Sequence, residues 1–206
     1  MCRDETGQMP SDQRRDPALS AISDRSRRLF LIGPGGVGKS TIGPLVAAHF
    51  RRTFIDLDEE FCARIKNIGA YIRGAGYQRY VEQNSRLFAA IIDDVREPIV
   101  MSLSSGFLAS DGGEVAMNNR TAVKMLGFSI LLLPVYDIHR SADIIVRRQV
   151  SRGFDLKDRS ERDKFMKRLH EYRPLADLIL YGAEPSHILA PRLCNLLGRE
   201  WISISN

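Results

Sequence analysis

Short apolar runs alternate along this chain with longer stretches in which apolar residues recur every three or four positions. That is the pattern of buried strands separated by amphipathic helices. Arg28–Ile32 reads as a strand, and Lys39–Phe50 as a helix with Ile42, Leu45, Val46 and Phe50 at helical spacing. Thr53–Asp56 reads as a second strand, and Glu59–Ile65 as a helix behind the acidic run Asp56-Leu57-Asp58-Glu59-Glu60. A stretch punctuated by Gly69, Gly74 and Gly76 leads to a long amphipathic helix, Tyr77–Val95, which Pro98 ends. Ile99–Leu103 is a third strand, followed by the small-residue turn Ser104-Ser105-Gly106. Asn119–Leu126 is helical, Phe128–Leu133 is the most apolar strand and belongs mid-sheet, and His139–Val150 is a helix. Leu178–Leu180 and Pro185–Leu197 supply a last strand and a closing helix. Strands so separated predict an α/β fold, a five-stranded parallel sheet with helices on both faces. In such a sheet ligands bind beyond the C-terminal strand ends.

The loop after the first strand, Gly33-Pro34-Gly35-Gly36-Val37-Gly38-Lys39-Ser40-Thr41, satisfies G-x-x-x-x-G-K-[ST] between a strand and a helix. Its glycines let consecutive backbone N–H groups turn inward around a phosphate, and the helix N-terminus adds partial positive charge. Gly35, Gly36, Val37, Gly38, Lys39, Ser40 and Thr41 are therefore the candidate nucleotide-binding residues. Lys39 is placed for the β- and γ-phosphates and Ser40 for Mg²⁺. A chance glycine-rich turn is the competing reading, and the strand–loop–helix setting argues against it.

Asp56 and Asp58 follow the second strand, so one can face the magnesium beside Ser40 while the other faces a second ligand. Phosphoryl transfer needs little more than a cradle, a metal, positive charge and a carboxylate to orient or deprotonate the attacking hydroxyl. The same acidic run also reads as a helix N-terminus with Asp58 as its cap. Arg79 and Glu82 lie three apart on one helix face. There an arginine held by the glutamate can grip a carboxylate, or the two simply form an exposed ion pair.

Together these segments resemble the shikimate kinases, a branch of the nucleoside-monophosphate-kinase-like P-loop enzymes, over roughly residues 28 to 200. The resemblance rests on the phosphate loop, the Asp56-x-Asp58 pair and Gly74-Ala75-Gly76-Tyr77-Gln78-Arg79-Tyr80-Val81-Glu82. That last run is similar to the family's G-E-x-x-F-R-x-x-E, with Ala75 in place of the Glu and Gln78 in place of the Phe. The resemblance implies a three-layer P-loop NTPase fold in a single kinase domain over 28–206, with a mobile lid at about 151–168. It implies that Asp56 serves magnesium, that Asp58 holds the acceptor hydroxyl and acts as base, and that Arg79 pairs with the acceptor's carboxylate.

Arg152 looks like the family's lid arginine, although Gly153-Phe154 follows it where the family has Pro-Leu-Leu. Arg173, in Arg173-Pro174-Leu175, is similar to an arginine that reaches the substrate, compressed by one residue. Arg148 and Pro185 are expected beside the nucleotide, Pro185 flanking the adenine. The family's triple glycine is Ser104-Ser105-Gly106 here, so two Cβ atoms and two hydroxyls are expected to narrow the acceptor pocket or add hydrogen bonds. Phe107–Asn119 reads as an insertion of unusual sequence.

Composition changes this picture little. A chain of 206 residues, 44% hydrophobic and 27% charged, is one globular domain with a sizeable core. Cys2, Cys62 and Cys194 are scattered, which argues against a disulfide framework or zinc site and fits a reducing cytoplasm. The longest apolar run, Ile130–Val135, is far short of a membrane span. Residues 1–27 contain no signal-peptide core and read as a disordered tail. Residues 147–173 hold ten Lys and Arg against five acids, an excess equal to the +5 of the whole chain. Its lysines read as the solvated face of a mixed-charge helix, and some of its arginines as a segment that closes over a polyphosphate. Neither reads as a nucleic-acid surface.

The resulting expectation is an ATP- and Mg²⁺-dependent kinase for a hydroxyl of a small carboxylated metabolite, and the resemblance puts shikimate foremost. It is expected to be cytoplasmic and a monomer or weak dimer, without nucleic-acid or membrane partners. Two alternatives stand beside it: a kinase for another hydroxy acid or small molecule, and a non-catalytic sensor that binds a nucleotide, metabolite or acyl-coenzyme A.

Overall fold

Unbroken apolar sequence, rather than alternation, marks the central strands. β1 (Arg28–Ile32), β3 (Ile99–Ser102) and β4 (Phe128–Leu133) are buried at all or nearly all positions, as strands covered on both faces must be. With β2 (Thr53–Asp56) and β5 (Leu178–Tyr181) they form a five-stranded sheet in the order β2-β3-β1-β4-β5. Every pairing is parallel, with Leu31 and Asp56 both in register with Ser102. The computed structural model describes residues 25–150 and 158–198.

The helices are α1 (Lys39–His49), α2 (Leu57–Arg64), α3 (Ile68–Ala75), α4 (Tyr77–Asp94), α5 (Gly113–Leu126), α6 (Ile138–Val150), α7 (Asp158–Tyr172) and α8 (Ser186–Leu197). α1 packs against α8 and strands β1 to β3, whereas α4 packs against α5. Parallel connections leave the ends of β1, β2 and β3 on one edge, so the phosphate loop, the acidic run and the Ser104–Gly106 turn are neighbours there.

Three segments depart from the sequence expectation. The glycine-punctuated stretch after Ile65 forms α3, capped by Asn67 Oδ1, which accepts from the Ala70 N–H at 3.1 Å. Tyr71 on α3 stacks edge-on against the buried Phe61 with ring centroids 5.3 Å apart, and this packing offsets the low helix propensity of Gly69 and Gly74. The helix expected from Asn119 begins at Gly113, so most of the supposed insertion is helical. Arg25 and its neighbours belong to the domain rather than to a tail: the Arg25 guanidinium lies 2.8 Å from Asp177 Oδ2 and donates to the Gly127 carbonyl. Of the expected lid, residues 158–168 lie in α7, whereas Arg152, Gly153 and Phe154 fall outside the described residues. The remainder of the expected tail falls outside them as well.

Gly127, between α5 and β4, brings backbone hard against the core. A methyl group there would lie 2.4 Å from Phe30 Cε2 and 2.6 Å from the Arg28 carbonyl oxygen. Gly74, within α3, has no neighbour within 4 Å of its Cβ position. Gly127→Ala is therefore expected to lower stability by about 1–3 kcal/mol, through overpacking. Gly74→Ala is expected to leave it unchanged or raise it by up to about 1 kcal/mol. Urea denaturation of the two variants checks the pair.

Candidate active site

The glycines of the phosphate loop earn their place by conformation: Gly36 and Gly38 have φ of 84° and 96°, where a side chain would be strained. The loop thereby wraps around the start of α1 and buries the Lys39 side chain. Lys39 Nζ donates to the carbonyls of Gly33 at 2.8 Å and Pro34 at 3.2 Å, which fixes the ammonium inside the curve of its own loop. Ser40 and Thr41 are exposed on the first turn of α1. A cavity of about 110 Å³ opens in front of them, lined by Gly38, Lys39, Ser40, Asp58, Ser102 and Ser105 among others.

A larger cleft of about 330 Å³ adjoins the other side of the loop, between Val37, Arg148, Ala183, Pro185 and Leu189. Arg148, from α6, spans it: Nη1 lies 3.5 Å from the Gly36 carbonyl oxygen and Nη2 3.3 Å from that of Ala183. The cleft is apolar at Val37, Ile42 and Leu189 and basic at Arg148, a combination suited to a planar base joined to an anionic chain. Arg148 and Pro185 thus line one cleft beside the phosphate loop.

The acidic run divides its work differently from expectation. Asp56, not Asp58, caps α2: its Oδ1 accepts from the Asp58 N–H at 2.9 Å and from the Glu59 N–H at 3.4 Å. The cap sits at the strand end because Asp56 keeps extended backbone angles while Asp58 is already helical. The other oxygen, Oδ2, is buried without a hydrogen-bond partner among the described residues. A buried, half-satisfied carboxylate beside a strand end suits a hard cation that takes oxygen ligands, and Ser40 offers a hydroxyl from the neighbouring loop.

Asp58 enters the smaller cavity with Lys39 and Ser105. Burial pushes its carboxyl above the usual aspartate range, and Asp56 adds to the effect. The Ser104 hydroxyl, Lys39 and the Tyr80 hydroxyl oppose it, and burial prevails. Burial and the Asp58 charge likewise push the Tyr80 phenol above its usual value.

Ser104 is buried and accepts from Asn84 Nδ2 at 2.9 Å, which ties α4 to the turn after β3. Ser105 lines the cavity, its carbonyl accepts from Tyr172 Oη, and its Oγ lies 3.5 Å from Arg168 Nη1. Gly106 has no room for a side chain, since a methyl group would lie 2.5 Å from Tyr77 Oη. Ser105 thus borders the cavity, whereas Ser104 is turned into a buried polar network.

The arginines do not follow the same course. Arg79 is exposed on α4 and Arg173 is exposed in the turn after α7. On α4 the inward residues are Tyr77, Tyr80 and Asn84, spaced by three and four, and a residue two positions after Tyr77 points roughly 200° away. Residues that sequence reasoning missed are thus Tyr77, Tyr80, Asn84, Arg168 and Tyr172. Their signal was legible as polar groups on otherwise apolar helix faces, at 77, 80 and 84 on α4 and one turn apart at 168 and 172 on α7.

The shikimate kinase family model matches residues 35–192. The chain belongs to the shikimate kinase family. Shikimate kinase of Chromohalobacter salexigens is 33% identical over 156 residues, 74% of this chain and 81% of that protein. That of Pseudomonas entomophila is 30% identical over 162 residues, 75% of this chain and 86% of that protein. Among solved structures, shikimate kinase from Bacteroides thetaiotaomicron superposes with a TM-score of 0.65 at 23% identity, covering 82% of this chain and 97% of its own. Shikimate kinase from Acinetobacter baumannii, solved in complex with shikimate, gives a TM-score of 0.64 at 20% identity over 82% of this chain and 92% of its own. These superpositions show the shared fold, and the family is one of ATP-dependent phosphotransferases acting on a hydroxyl. No helix among the described residues is long and apolar enough to cross a membrane.

Arg148→Ala is expected to weaken ADP binding roughly tenfold, as loss of a charged hydrogen-bonding group does. Calorimetric titration with ADP checks this, and unchanged thermal unfolding of the apoprotein excludes a folding defect.

Proposed function

We propose that this chain transfers the γ-phosphoryl group of ATP, with magnesium, to a hydroxyl of shikimate. The juxtaposition of the Lys39 ammonium and the Asp58 carboxylate in one cavity at the strand ends carries the reading. It is supported by family membership and by the relative solved with shikimate. Gly35, Gly36, Val37, Gly38 and Thr41 surround the phosphates, and Arg148 and Pro185 hold the nucleoside. Ser40 and Asp56 hold the magnesium, which when bound neutralises charge on the β- and γ-phosphate oxygens.

Asp58 orients the acceptor hydroxyl and takes its proton as the oxygen attacks the γ-phosphorus. The bond from phosphorus to the β–γ bridging oxygen breaks, and ADP leaves with its electron pair. Lys39 lies where negative charge accumulates on the transferring group. Ser104 and Ser105 form the acceptor wall. Arg152 belongs to this reading as the arginine that closes over the phosphates. The scattered cysteines, with Cys62 and Cys194 both free thiols, support a reducing cytoplasm as its location, and we take the working unit to be a monomer or weak dimer.

Phosphorylation of shikimate in a coupled ADP-release assay tests the reading, with quinate and gluconate as alternative acceptors. Asp58→Asn is expected to lower kcat by roughly a hundredfold to ten-thousandfold while ADP still binds. A base acts only when deprotonated, and burial raises this carboxyl, so the acid limb of the kcat/KM profile is expected above the pH range of an ordinary aspartate. The same shift predicts a gain in stability when the ionisable group is removed. A folded-state carboxyl pKa above its unfolded value means that folding loses free energy as pH rises through it. Asp58→Asn, which removes that ionisation, is expected to raise the melting temperature at neutral pH while activity is lost.

A further inference from the structure

Asp58 needs its carboxylate aimed at the acceptor, yet Lys39 attracts it from the phosphate loop. Three polar side chains, buried behind the cavity, hold it from another side. The Ser104 and Tyr80 hydroxyls both hydrogen-bond to the Asp58 carboxyl. Asn84, one turn along α4 from Tyr80, donates from Nδ2 to Ser104 Oγ at 2.9 Å and lies 3.5 Å from Tyr80 Oη. Asn84, Ser104 and Tyr80 are only 1%, 3% and 5% exposed, so these bonds are sheltered from water. The Ser104 hydroxyl stands where the family resemblance places the first of three glycines.

The direction of each bond follows from the donor and acceptor chemistry. A carboxylate can only accept, so the single Ser104 proton goes to Asp58. Ser104 Oγ is then left as an acceptor, and the Asn84 amide N–H satisfies it. Asn84 thereby fixes the hydroxyl rotor that faces Asp58. Its own Oδ1 is buried without a hydrogen-bond partner among the described residues. The other buried positions of α4 include Val81, Leu87, Phe88 and Ile91. A leucine at 84 would suit that face without stranding a polar atom, so the amide lowers stability. What it supplies in return is the donor to Ser104.

We propose that Ser104, oriented by Asn84, and Tyr80 are positioning residues that hold the Asp58 carboxylate toward the acceptor and away from Lys39. The carboxylate then meets the acceptor hydroxyl in a fixed orientation, and the Lys39 charge serves the phosphates. This inference rests on the proposed role of Asp58 toward the acceptor hydroxyl.

Two double-mutant cycles test the hold on Asp58. The first is read by urea denaturation and needs no substrate. A hydroxyl bonds more strongly to a carboxylate than to an amide oxygen. Ser104→Ala is therefore expected to lower the urea midpoint more in the wild-type protein than in Asp58→Asn. Equal losses would mean that Ser104 only joins α4 to the turn after β3, and they overturn the inference. The second cycle is read by initial rates with ATP and shikimate. Ser104→Ala is expected to lower kcat roughly tenfold to a hundredfold in the wild-type protein, with KM for ATP unchanged, as loss of a hydrogen bond to a charged group does. In Asp58→Asn it is expected to change kcat by less than about twofold, because the group it aims is gone. Tyr80→Phe, which keeps the ring packed on Phe61, is expected to repeat both patterns and serves if Ser104→Ala does not fold. Asn84→Leu is expected to lower kcat about threefold to tenfold, since the hydroxyl remains but its rotor is no longer fixed. Additive losses of kcat, or wild-type kcat in Ser104→Ala and Tyr80→Phe, overturn the inference. Coupling in urea without phosphorylated product from the wild-type protein sinks the catalytic reading while bearing out the hold on Asp58.

Discussion

One buried ammonium organises the working edge of this protein. Lys39 is held by two carbonyls of the loop that carries it, Gly33 and Pro34, so its charge is fixed before any ligand arrives. The loop can fold back in this way only because Gly36 and Gly38 accept backbone angles that other residues resist. Asp58 approaches from beyond the end of β2, one strand removed from β1, and its carboxyl is raised despite the lysine, because the loss of solvent outweighs the attraction. The pair is therefore poised and not neutralised: a cation fixed by backbone dipoles, facing a carboxyl that ionises reluctantly.

The sheet delivers these groups to one place. Register between β1, β2 and β3 brings Leu31, Asp56 and Ser102 level, so the loops that follow them meet without long connections. The division of labour in the acidic run follows from the same geometry. Asp56 ends a strand and can turn its carboxylate onto the first amides of α2, while Asp58, already helical, is free to face the cavity.

Much of this was legible in the sequence. Apolar runs located the five strands, and the phosphate loop needed only its spacing and its setting between strand and helix. What was not legible is direction. A motif aligns positions, but which way a helical residue faces depends on which neighbours are buried, and on α4 the burial of Tyr80, Val81 and Asn84 turns Arg79 outward. The helix α3 escaped because aromatic packing on Phe61 overrides glycine propensity, a tertiary effect with no local signature. Arg168 escaped because its neighbours come from α4 and the turn after β3, remote in the chain and adjacent only in the fold.

Tyr172 closes α7 by donating its hydroxyl to the Ser105 carbonyl. A helix riveted to the floor of a binding pocket cannot tilt without dragging that floor along. Any ligand that reorients α7 therefore reshapes the acceptor wall, and occupancy of that wall restrains α7 in return. Reciprocity of this kind favours neither side, since each changes the other's hold by the same factor.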